Sequence, residues 1–137
     1  VPPYRWDKSK NRPQDAAFEP APGKSLSVYR TDIQSPRGVL QLCIDDQKRK
    51  LDSADERKRH NAEIWFEKNG ESVEQLVSKG WRIVRLPIAV FIDRGFQLDG
   101  PDQTGHQNVI GNEYTTYSVE FAELAEILTL EECVANP

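Results

Sequence analysis

The chain has 137 residues and a formal net charge of −4, with 37% hydrophobic and 29% charged residues. That length suits one domain with a single moderate core. The acidic balance argues against non-specific nucleic-acid binding by the whole chain, and no apolar run approaches the roughly 18–20 residues that span a bilayer.

Residues 1–24 hold five of the nine prolines and no consistent hydrophobic period. They predict an extended arm rather than a packed element. A proline-rich, charged start of this kind does not read as a secretion leader. The arm is mildly basic, with Arg5, Lys8, Lys10, Arg12 and Lys24 against Asp7, Asp15 and Glu19. Its aromatics Tyr4, Trp6 and Phe18 either pack back on their own domain or dock on a partner or a second copy.

Ser25 to Thr31 alternates cleanly, with Leu26 and Val28 on one face, and predicts the first strand. Ser35-Pro36 is an N-cap followed by a proline suited to a first helical turn. Val39, Leu40, Cys43 and Ile44 keep helical spacing, which favours a helix, although a buried strand satisfies the same short pattern. Residues 45–60 are almost entirely charged, with both signs interleaved. The pair Ser53 and Glu56 has capping-box spacing, so a helix is expected from about 54 to 68, closed by Asn69-Gly70. Arg57-Lys58-Arg59-His60 tempts a nucleic-acid reading, but acids at 52, 55 and 56 largely cancel it. A short helix is expected over 72–79, with Val73, Leu76 and Val77 inward and Gly80 at its end.

The stretch from Gly80 to Gly111 holds five of the eight glycines and the densest apolar run. Residues 81–86 read as a strand that Pro87 ends, because proline cannot donate to a ladder. A short helix follows over 88–94, then an extended stretch at 96–98 and turn chemistry at Asp99-Gly100-Pro101-Asp102. The segment delivers His106 and Asn108 between Gly105 and Gly111, the most site-like feature of the chain. Tyr117, Phe121, Leu124 and Leu128 then predict an amphipathic helix over 116–128. From Asn112 onward there are six glutamates and no lysine or arginine.

These elements predict an α+β fold. A small, mostly antiparallel sheet from strands near 25–31, 81–86, 96–98 and 107–110 is covered by helices on one face. Residues 1–24 form the extended arm and 25–137 a single domain. Cys43 and Cys133 form no CxxC, and with the two histidines they match no zinc spacing. Reduced thiols, a cytoplasmic location, and neither metal nor cofactor are therefore expected.

The candidate polar set is Arg30, His106, Asn108 and one of Glu113 or Glu120. A histidine of ordinary pKa can exchange a proton near neutrality, and an arginine at a strand end can grip a phosphate or carboxylate. Asn108 could orient the imidazole, and the flanking glycines would let a ligand approach the backbone. The bland alternative is a structural hydrogen-bonding pair in a turn. No P-loop, dinucleotide fingerprint, GxSxG or HExxH motif is present.

Ser25 to Thr31, Leu86-Pro87-x-Ala89-Val90, Gly95-Phe96 and His106-x-Asn108-Val109-Ile110-Gly111 resemble an uncharacterised family of small bacterial proteins. That family shares the strand, the proline-led helix and the turn in the same order, ahead of a C-terminal helix. The likeness covers about half of the chain and leaves out 1–24 and 45–70. It implies a bacterial or phage cytoplasmic origin, and it marks Arg30, His106 and Asn108 without giving them roles.

Two readings of function follow. One is an accessory or regulatory module that binds a protein partner, or a second copy, through Tyr4 and Trp6, with Gly105 and Gly111 at a second contact. The other is a small enzyme acting on a nucleotide or NAD-like substrate through Arg30, His106 and Asn108, by fold-level analogy with ADP-ribosyltransferases. A toxin–antitoxin or defence component would overlap both. Neither a nucleic-acid nor a membrane partner is expected.

Overall fold

A computed structural model describes residues 1–137, which divide into two units. The first comprises Val1–Gln34 and Arg82–Leu128, the second Ser35–Trp81 and Thr129–Pro137. The class is α+β, with six α-helices and small antiparallel sheets. The boundary expected at residue 24 does not appear, because 1–24 belong to the first unit.

The first unit is built on a three-stranded antiparallel sheet in the order β3 (Leu26–Tyr29), β6 (His106–Ile110), β5 (Gln97–Asp99). Register pairs Leu26 with Val109 and Tyr29 with His106, while Leu98 also opposes Val109. The strand period of two sends Leu26, Val28, Leu98 and Val109 to one face. There they meet Phe91 of α4 (Ile88–Ile92), Phe96, and Phe121 of α5 (Tyr114–Leu124). Phe121 is fully buried and its ring lies 5.0 Å from Phe91, 5.7 Å from Phe96 and 6.0 Å from Phe18. Truncating such a residue costs about 3–5 kcal/mol. The sheet is thus covered on one face by helices, with β6 as its central strand.

Residues 1–24 are not an extended arm. Pro3–Arg5 form a 3-10 turn, β1 (Trp6–Asp7) pairs with β2 (Arg12–Pro13), and Asp15–Phe18 form a second 3-10 turn. Trp6, Pro13 and Phe18 are buried, and Ser118 Oγ of α5 donates to Glu19 at 2.8 Å. The prolines that obscure any period suit short turns and a two-residue ribbon, where few ladder donors are needed.

The strand expected over 81–86 shrinks to β4 (Val84–Arg85) and does not join the main sheet. It pairs instead with β7 (Glu126–Ile127). The helix expected over 116–128 therefore stops at Leu124, where Ala125 turns extended and Leu128 N–H donates to Ile83 O at 3.0 Å. Long-range pairing outweighs the helical spacing of Leu124 and Leu128.

The second unit is helical: α1 (Pro36–Leu51), α2 (Glu56–Asn69), α3 (Val73–Ser78) and α6 (Leu130–Val134). Residues 36–44 are helix, capped by Ser35 Oγ, which accepts from Gly38 N–H at 3.0 Å. The charged stretch splits between α1 and α2. The cap of α2 is Asp55 rather than Ser53, whose hydroxyl instead accepts from Asp55 N–H. Leu40, Ile44, Ala62, Val73, Leu76 and Cys133 form the buried interior. Arg37 ties three helices together through Glu74 and the carbonyl of Val134. Trp81 stacks edge-on near Trp65 and donates from Nε1 to Asn69 Oδ1 at 2.8 Å. Both cysteines are free thiols, and burial raises the pKa of Cys43. No helix is long and apolar enough to cross a membrane.

Candidate functional site

His106 and Asn108 lie on β6, the central strand, not in a turn. Alternation sends Gln107 and Val109 inward and leaves His106 and Asn108 on the opposite face, which the helices of this unit do not cover. Ser27 and Asp99 flank Asn108 in register, and Tyr29 flanks His106. The His106 imidazole lies 5.4 Å from the Tyr29 ring, tilted by 59°. Asn108 Oδ1 accepts from Ser25 Oγ at 3.0 Å.

Arg30 follows β3, and its N–H donates to Gly105 O at 2.8 Å. Its guanidinium forks onto Asp32, Nε to Oδ1 at 3.0 Å and Nη2 to Oδ2 at 3.1 Å. Glu120 is gripped by Arg94 (Nε to Oε2 at 2.9 Å), a pair that raises the arginine pKa and lowers that of the carboxyl. Glu113 precedes α5 without capping it through its side chain. Each of Arg30, Asn108 and Glu120 is therefore engaged by a different neighbour. The register sets His106 and Asn108 on one face of β6 and Arg30 beside Gly105, while Glu120 of α5 is held by Arg94.

The two glycines answer internal needs. Gly105 has φ +87° and is buried against Ile33 and Gln34, and a Cβ there would lie 3.1 Å from Ile33 Cβ. At Gly111 a Cβ would drive into the ring of Phe96. An open cleft of about 460 Å³ runs between Pro20–Ser25 and Ile110–Asn112, and Gly111 is the one candidate residue on its wall.

The loop that leads into His106 is organised by Asp102. Its Oδ1 accepts from Thr104 Oγ1 at 2.7 Å, Thr104 N–H at 2.9 Å and His106 N–H at 3.0 Å. The Thr104 hydroxyl, more than the two backbone donors, holds its carboxyl below the usual range. Sequence reading saw a turn there but not this role, although an aspartate two residues before a threonine carries the signal.

The residues at 1–24 separate. Trp6 is 9% exposed and anchors the fold, whereas Tyr4 is 72% exposed. Arg5 places its guanidinium 5.3 Å from the centroid of the Tyr4 ring. Lys8, Ser9, Lys10 and Asn11 form the exposed hairpin tip. Asp7 Oδ1 stabilises that tip by accepting from Ser9 Oγ at 2.7 Å, Ser9 N–H at 3.0 Å and Lys10 N–H at 3.2 Å. The Ser9 hydroxyl is the largest reason that the Asp7 carboxyl sits below its ordinary pKa. Gln14 N–H closes the base on Arg5 O at 2.8 Å.

No cluster of three or more His, Cys, Asp or Glu side chains is placed to hold a metal ion. Comparison with protein-family models, curated proteins and solved structures finds no match.

Proposed function

We propose that the protein is an accessory or regulatory binding module of the bacterial or phage cytoplasm, acting on a protein partner through the surface around Tyr4. The observation that carries this reading is the exposure of Tyr4 on a segment fixed from both sides. The 3-10 turn that holds Tyr4 is closed by Arg5 N–H on Pro2 O, and the neighbouring Trp6 is buried. Exposed tyrosine and arginine on a rigid element are the composition of interface anchors. Their ordering cost is already met before a partner arrives.

The enzyme reading has less support. Arg30 is neutralised by Asp32, and Asn108 is committed to Ser25. A nucleotide phosphate would have to displace the carboxylate from Arg30 before it could be gripped.

Native mass spectrometry of the chain, gently purified from its own cells, tests the proposal. A co-purifying protein that is lost on Tyr4→Ala, with the melting temperature unchanged, is the expected result. A bare monomer that instead retains a nucleotide would point to the enzyme.

A further inference from the structure

We infer that the hairpin from Tyr4 to Arg12 takes an acidic segment of the partner protein. The inference deepens the binding-module reading and rests on it.

The hairpin carries Arg5, Lys8, Lys10 and Arg12 against one carboxylate, in a chain whose net charge is −4. That carboxylate, Asp7, is occupied by three donors of its own tip. None of the four cations is ion-paired, whereas Arg30, Arg37, Arg49, Arg85 and Arg94 all hold carboxylates. The fold thus concentrates unpaired positive charge beside its most exposed aromatic.

The patch is also shaped. Trp6 and Pro13 anchor the ribbon in register, and Asn11 adopts φ 49° to turn the chain. Tyr4 lies on a 3-10 turn and Trp6–Asp7 is the only strand before Lys8, so the segment spans on the order of 10 Å, the reach of about three residues of an extended peptide. Carboxylates along such a peptide would meet Arg5, Lys8 and Lys10 while one apolar side chain rests on the Tyr4 ring. The size of the patch separates this occupant from a polynucleotide. So few cations neutralise few phosphates, and the acidic remainder of the chain repels a long polyanion.

Fluorescence anisotropy on the full chain tests this with a short labelled oligoglutamate carrying one central leucine. An oligoglutamine counterpart and a single-stranded oligonucleotide of equal length serve as comparisons. The oligoglutamate should bind best, weaken with salt, and lose about ten-fold or more in affinity on Lys8→Glu with Lys10→Glu. Both lysines are exposed, so the melting temperature should hold. Equal binding of the two peptides, tighter binding of the oligonucleotide, or indifference to the double substitution would each overturn the inference. So would a dimer that the same substitution dissolves, since the occupant would then be a second copy.

The native partner distinguishes the two levels of failure. Loss of that partner on Tyr4→Ala but not on Lys8→Glu with Lys10→Glu would remove only the acidic-segment inference. Retention by every variant would remove the binding surface itself.

Discussion

Tyr29 and His106 face each other across β3 and β6, directly in register, with ring centroids 5.4 Å apart. The pairing gives His106 a packing role on the sheet. His106→Ala should therefore cost about 0.5–1.5 kcal/mol, the worth of a cross-strand aromatic contact, and leave the fold intact. Chemical denaturation checks this, and a Tyr29→Ala, His106→Ala double mutant should lose less than the sum of the singles.

Gly111 is glycine because Phe96 occupies the space a side chain would need. Gly111→Ala should destabilise by about 1–3 kcal/mol through overpacking. Combined with Phe96→Leu, the loss should again fall short of additivity, because the smaller side chain frees part of that space. Urea melts of the four proteins measure it. Full additivity would mean that ring and glycine do not share the site.

Asp102 gives the β5–β6 loop a pH dependence with a defined sign. Its folded pKa lies below the ordinary 3.8, chiefly through the Thr104 hydroxyl. Its contribution is therefore complete above the unfolded pKa and fades as pH falls through the lower folded value. Asp102→Asn should melt below the parent at neutral pH, and the gap should close on acidification. Thermal melts across that range test it, and a gap independent of pH would contradict it.

Local chemistry made much of the fold legible. Alternation located β3, and the inward spacing of Val73, Leu76 and Val77 located α3, whose Ser72–Gln75 capping box the structure adds. The short helix expected after Pro87 is α4, with Pro87 as its N-cap. What stayed hidden depends on distant partners. Nothing near Leu124 announces that Ile83 will claim Leu128, and nothing in a proline-rich stretch says that Phe18 will reach Phe121. Likewise the chemistry of Arg30 and His106 made them candidates for one site, and sequence cannot show that Asp32 holds the guanidinium. The basic run from Arg5 to Arg12 was visible in the sequence. Its significance came only with the hairpin that fixes it.

The most direct measurement is a side-by-side native mass spectrum of the parent, Tyr4→Ala and His106→Ala proteins, each purified from its own cells. The partner should remain with His106→Ala and be lost with Tyr4→Ala. Loss with His106→Ala and retention with Tyr4→Ala would place the working surface on the sheet face and contradict the binding surface proposed at Tyr4.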